Sequence, residues 1–131
     1  MKLLTGIVIA AALGAVLWTG VASGGSTHPS NVVFDDYDDE LTDIRFFGHL
    51  TSPGPARCSE DRKVHMFMVL KGGDEKVGTT RTDSFEHWSL LRSTDGLVSG
   101  ADYYAKVKKL KLGGGAKCAK DISDPVSVIL S

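Results

Sequence analysis

Beyond Cys58 and Cys118 the chain has no cysteine, and that scarcity already excludes several classes of protein. Two thiols 60 residues apart are too few to build a structural zinc site, which is usually four-coordinate. No cysteine follows the N-terminal apolar run, so a lipidated cysteine anchor is not expected. There is no Gly-x-Ser-x-Gly elbow to hold a nucleophile on a strained turn. The Asp-x-Asp-x-Asp-Gly calcium loop is missing too, although Asp36, Asp38, Asp39 and Glu40 carry suitable oxygens. After the leader, no segment has the apolar stripe of a helix. A formal net charge of −1 selects no partner through bulk electrostatics, and nothing points to nucleic acid. His28, His49, His65 and His87 are isolated; the first falls in a linker-like stretch and the other three alternate toward solvent. These absences argue against an enzyme, a metal or a cofactor and leave a binding or structural module.

What is present begins with Met1-Lys2 and an apolar run from Leu3 to Val21. One lysine, an apolar stretch and then small residues is the pattern of a secretory signal. The run is also nearly long enough to cross a bilayer, which takes roughly 17–25 residues. Gly6, Gly14 and Gly20 dilute it, and Val21-Ala22-Ser23-Gly24-Gly25 offers small residues for cleavage near Ala22 or Ser23. Residues 1–22 therefore read either as a cleaved signal peptide or as an uncleaved anchor helix built on residues 3–21. Both readings place the rest of the chain outside the cytoplasm, with membrane contact only if the leader is kept. In that compartment two cysteines, an even count, are expected to pair.

Residues 23–42 read as a disordered linker, Gly/Ser-rich and then acidic, because this composition buries little apolar area. Asp35, Asp36, Asp38, Asp39, Glu40 and Asp43 form the acidic block, whereas Lys106, Lys108, Lys109, Lys111, Lys117 and Lys120 make the C-terminal third basic. A flexible acidic linker would compete with outside anions for that basic segment.

From Asp43 to Ser131 the pattern has period two, as half-buried strands require. Ile44, Phe46 and Leu50 share one face; Val64, Met66, Met68 and Leu70 share another before Lys71-Gly72-Gly73-Asp74 turns the chain. A short polar strand at Lys76 to Thr82 and an aromatic one with Trp88 and Leu90 inward follow. Then Tyr103, Ala105 and Val107 alternate with Tyr104, Lys106 and Lys108, and Val126 to Leu130 forms a last strand after Pro125. Short strands at turn-punctuated spacing argue an all-β, antiparallel β-sandwich.

The series Phe46-x-Gly48-x-Leu50-x-Ser52, Cys58, Arg62-Lys63-Val64, Val77-Gly78-Thr79-Thr80, Trp88-x-Leu90, Gly100, Tyr103-Tyr104-Ala105-Lys106-Val107, Cys118 and Ser127 to Leu130 resembles a secreted transthyretin-like or carboxypeptidase-regulatory-like domain. The resemblance spans Asp43 to Ser131. It implies an immunoglobulin-like sandwich of about seven strands with no catalytic activity of its own. Two departures stand out: Glu86 occupies a position where the family tends to have Gly, and the connection from Ser93 to Ser99 is long. On this plan a Cys58–Cys118 bond ties the loop after the first strand to the loop before the last.

Trp88, Tyr103 and Phe46 fall on the inward parity and read as core. Phe47, Phe67 and Tyr104 fall on the outward parity, and exposed aromatics of this kind mark contact surfaces. With Lys106 and Lys108 they form the candidate contact surface, for an extracellular protein or an anionic surface polymer. The alternative is a structural spacer with no small ligand.

Overall fold

A computed structural model describes residues 25–131, so the expected signal peptide or anchor helix at 1–22 lies outside the described residues. The order of elements is β1 (Thr27–His28), β2 (Asn31–Glu40), β3 (Asp43–Thr51), a 3-10 turn (Ala56–Cys58), β4 (Lys63–Met68), β5 (Glu75–Arg81), β6 (His87–Ser93), β7 (Asp102–Val107), β8 (Leu110–Gly113), β9 (Ala116–Cys118), β10 (Asp121–Ile122) and β11 (Val126–Ser127). The domain is all-β. Among the described residues eleven strands stand where about seven were expected, because several are pieces of two to four residues. The last strand expected over Val126 to Leu130 pairs only through Val126 and Ser127.

Three sheets result. One is the antiparallel β2–β3–β6 sheet; the second runs β10–β7–β4–β5 with β11 also on β7, antiparallel throughout. The third is small: the β8–β9 hairpin, with β1 parallel to β9. The inward residues of the first two sheets form a single core, Ile44, Phe46, Leu50 and Trp88 from one and Val64, Met66, Met68, Tyr103, Ala105 and Val107 from the other. Phe46 of β3 stacks on Tyr103 of β7 across it, with ring centroids 5.6 Å apart. Phe34 of β2 meets Phe46 edge-on at 5.9 Å and Trp88 at 6.1 Å. The inward parity expected for β3, β4, β6 and β7 is the one seen.

The linker expected over residues 23–42 gives way, within the described residues, to strand. Residues 31–40 form β2, the longest strand, which pairs along all of β3 and buries Val32 and Phe34. Apolar area sufficient for a strand was present at Val32-Val33-Phe34, and the acidic run masked its continuation. An irregularity at Asp35 re-phases the strand: Val32 and Phe34 point inward before it, Tyr37 packs on the core after it, and both Asp35 and Asp36 stay exposed. An extra residue in one strand of a ladder produces this switch of face. Tyr37 Oη accepts from Ile129 N at 3.0 Å, and Asp39 accepts from Ser131 N, so the C-terminal tail is clipped to β2. The acidic block is thus fixed in the β2–β3–β6 sheet and cannot act as a mobile competitor.

The disulfide is formed. Cys58 at the end of the 3-10 turn bonds Cys118 at the end of β9, both fully buried. Closing a loop of 60 residues is worth about 4 kcal/mol in the chain-entropy account.

Candidate functional site

Five cationic positions, His65 and two aromatics share the outer face of the β5–β4–β7 sheet because strand alternation puts every second residue there. On β4 these are Lys63, His65 and Phe67. Across the ladder Lys63 stands opposite Arg81, His65 between Thr79 and Lys106, and Phe67 opposite Tyr104. A register shift in β5 lets Val77 turn into the core and brings Lys76 opposite Phe67. Lys108 continues the outward parity just past the end of β7.

The aromatic pair is ordered. Phe67 and Tyr104 stack at 5.4 Å with planes 13° apart. Lys106 Nζ sits 5.7 Å from the Phe67 centroid, within the reach of a cation–π contact. Tyr104 Oη donates to Asp74 Oδ2 at 2.6 Å, and this hydrogen bond to a carboxylate pushes the phenol up to about 12. The hydroxyl is therefore a fixed donor that anchors the ring to the β4–β5 turn.

His65 was expected to face solvent, but it is only 6 % exposed. Its outward direction is as the alternation requires; flanking strands and their long side chains cover it. Its Nδ1 lies 3.1 Å from Thr79 Oγ1. Burial, and then the positive charges of Lys76, Lys108, Lys63 and Lys106, hold its pKa below the ordinary histidine value. His65 is thus kept neutral first by its burial and second by the lysines around it.

Of the five residues expected to form a contact surface, the structure brings four to this face: Phe67, Tyr104, Lys106 and Lys108. Phe47 stands apart. It lies on β3 of the other sheet, opposite Asp36 and Ser89, and makes no ring pair among the described residues. Parity alone cannot say which sheet a strand joins, so two outward residues of equal parity can lie on opposite sides of the molecule. Reasoning from the sequence also missed Lys63, Lys76, Arg81 and His65, although the first and last share the parity of Phe67. Phe85, 77 % exposed in the β5–β6 loop, was missed as well. Asp83 Oδ1 shapes that loop by accepting from Phe85 N at 2.8 Å and His87 N at 2.9 Å.

Among the described residues no group of three or more His, Cys, Asp or Glu side chains is placed to hold a metal ion. A face of lysines, an arginine and a stacked aromatic pair can bind anions and flat apolar rings by charge and contact. A scan against protein-family models gives no match for this chain, and a search of curated proteins finds none.

Proposed function

We propose that this chain is a non-catalytic binding module that acts outside the cytoplasm and holds an anionic polymer on the outer face of the β5–β4–β7 sheet. One observation carries the reading: Lys63, Lys76, Lys106 and Lys108 converge around His65 beside the Phe67–Tyr104 stack. Like charges gathered on one sheet face cost stability, and an anionic partner offsets that cost. The immunoglobulin-like, transthyretin-like sandwich type is supported by two antiparallel sheets that share one core and by the cysteine bond joining loops far apart in sequence. Export is supported by the leader and by that bond.

A spacer role has one observation in its favour, the isolation of Phe47 from the other outward aromatics. Binding of the full-length chain to dextran sulfate and to neutral dextran, at low and high salt, decides between the two. Retention on dextran sulfate that falls with salt, and none on neutral dextran, is the expected result, since screening acts over about 8–10 Å. No retention on either would leave the spacer.

A further inference from the structure

The basic end of this face holds a cleft of about 310 Å³, near the lower end of the roughly 300–1,000 Å³ typical of small-molecule sites. Arg57 of the 3-10 turn, Lys63 of β4, Arg81 at the end of β5, and Lys108 and Lys109 after β7 line it, with His65 as part of the wall. One carboxylate, Asp61, also lines the cleft, 3.4 Å from Arg81, against five exposed cations around it.

Arg62 also lines the cleft and is 3 % exposed. Its guanidinium donates to Ser30 Oγ at 2.6 Å and to the carbonyls of Cys58 at 2.9 Å, Lys108 at 2.7 Å and Ala119 at 2.7 Å. All four acceptors are neutral, so they fix the group without cancelling its charge. Burial pushes its pKa down, and the Asp121 carboxylate works in the opposite direction. Those four bonds take all the terminal N–H hydrogens, so Arg62 contributes a fixed positive charge to the cleft wall rather than a donor to an anion. The exposed cations of the rim can then close over that anion.

We propose that this cleft binds one oxyanion group, a sulfate or phosphate ester, carried on a body about the size of one sugar ring. The proposal rests on the polyanion reading above and says where on the face the charged group is gripped. Arginine forks match tetrahedral oxyanions with paired hydrogen bonds; Arg57 and Arg81 both line the cleft, and Arg81 is held in place there by donating from Nη1 to the Asp61 carbonyl at 2.8 Å. Successive outward residues of a strand lie about 6.6 Å apart, so Phe67 stands one step beyond His65. The stacked aromatic pair is thereby next to the cleft, where a following ring of the same polymer can lie flat on it.

The test follows the imidazole NMR signals of the full-length chain at pH 7 as sodium sulfate or sodium phosphate replaces sodium chloride at constant ionic strength. His65 should shift saturably with both oxyanions while His28, His49 and His87 stay still. The double variant Arg81→Met with Lys108→Ala, both exposed positions, should weaken that binding by about tenfold or more. A shift that never saturates, or one shared by all four histidines, would overturn the cleft. An unchanged sulfate affinity at His65 in the double variant overturns the cleft, while salt-sensitive dextran sulfate binding by the unaltered chain leaves the face reading standing. A saturable His65 shift without dextran sulfate binding upholds the cleft and overturns the polymer. Displacement of sulfate by dextran sulfate supports the sugar-borne ester; displacement only by phosphatidylglycerol vesicles assigns the ester to a lipid and overturns that part.

Discussion

At the scale of single residues, two backbone positions show how tightly this fold is specified. A Cβ on Gly48 would lie 1.9 Å from Val33 O and 2.7 Å from the Trp88 ring. Neither neighbour is free to move, since Val33 is paired in β2 and Trp88 is buried in the core. Gly48→Ala should therefore destabilise the domain by about 1–3 kcal/mol or more, as overpacking does. Urea unfolding would measure it, and a change below about 0.5 kcal/mol, the usual size of a surface effect, would contradict the packing described. Glu86 sits at φ +67°, a left-handed conformation that costs an L-residue roughly 1–2 kcal/mol. Glycine is the residue this backbone favours. Glu86→Gly is expected to raise stability, by up to about 1 kcal/mol once the extra freedom of glycine in the unfolded chain is counted. A loss of stability in the same unfolding measurement would contradict this.

At the scale of elements, β3, β4, β6 and β7 were legible because each keeps one parity and buries it. Trp88 at 2 % exposed and Tyr103 at 0 % lie where their alternation placed them. β2 was not legible, since the irregularity at Asp35 breaks the alternation just where the acidic run begins. The short strands β1, β8, β9 and β10 were not legible either. They are fixed by long-range partners such as the Arg62 guanidinium and the Cys58–Cys118 bond rather than by a local pattern. The core role of β2 makes a direct prediction. Phe34→Ala should cost about 3–5 kcal/mol, the loss expected for a buried aromatic, whereas Tyr104→Ala, on the outer face, should cost much less. Thermal or urea unfolding of the two variants checks the order; the reverse order would mean that residues 31–40 are the linker their composition suggests. Of the candidate site, the aromatic and lysine residues of β7 could be read from sequence. Lys63 shares the parity of Phe67 and carried the same signal; Lys76 and Arg81 could not be read, because cross-strand pairing decides who stands opposite whom.

At the scale of the whole molecule, charge is segregated by sheet. The acidic run belongs to β2 and the first residue of β3, and a group of basic residues lies on the outer face of β5–β4–β7. His65 gives this separation a dependence on pH. Around it stand Lys63 of β4, Lys76, Thr79 and Arg81 of β5, and Lys106 and Lys108 of β7 and its end. Because its folded pKa lies below the unfolded value of about 6.5, the unfolded chain binds the extra proton between the two. The stability contributed by neutral His65 is therefore full above that value and lost as pH falls through the folded pKa. His65→Gln should flatten the stability profile below about pH 6.5, the unfolded value. Asp83 acts lower on the scale: its pKa is depressed by the backbone hydrogen bond from His87, so its contribution is lost only below the ordinary carboxylate range.

The central claim is that the outer face of β5–β4–β7, rather than lysine content in general, holds an anionic polymer. Two variants of equal charge change test it most directly: Lys63→Ala with Lys106→Ala on the face, and Lys111→Ala with Lys120→Ala in and after the β8–β9 hairpin. The salt concentration that elutes the full-length chain from dextran sulfate should fall clearly for the first pair and stay near that of the unaltered protein for the second. Equal falls for both pairs would show that the polymer sees only net charge and would contradict the account.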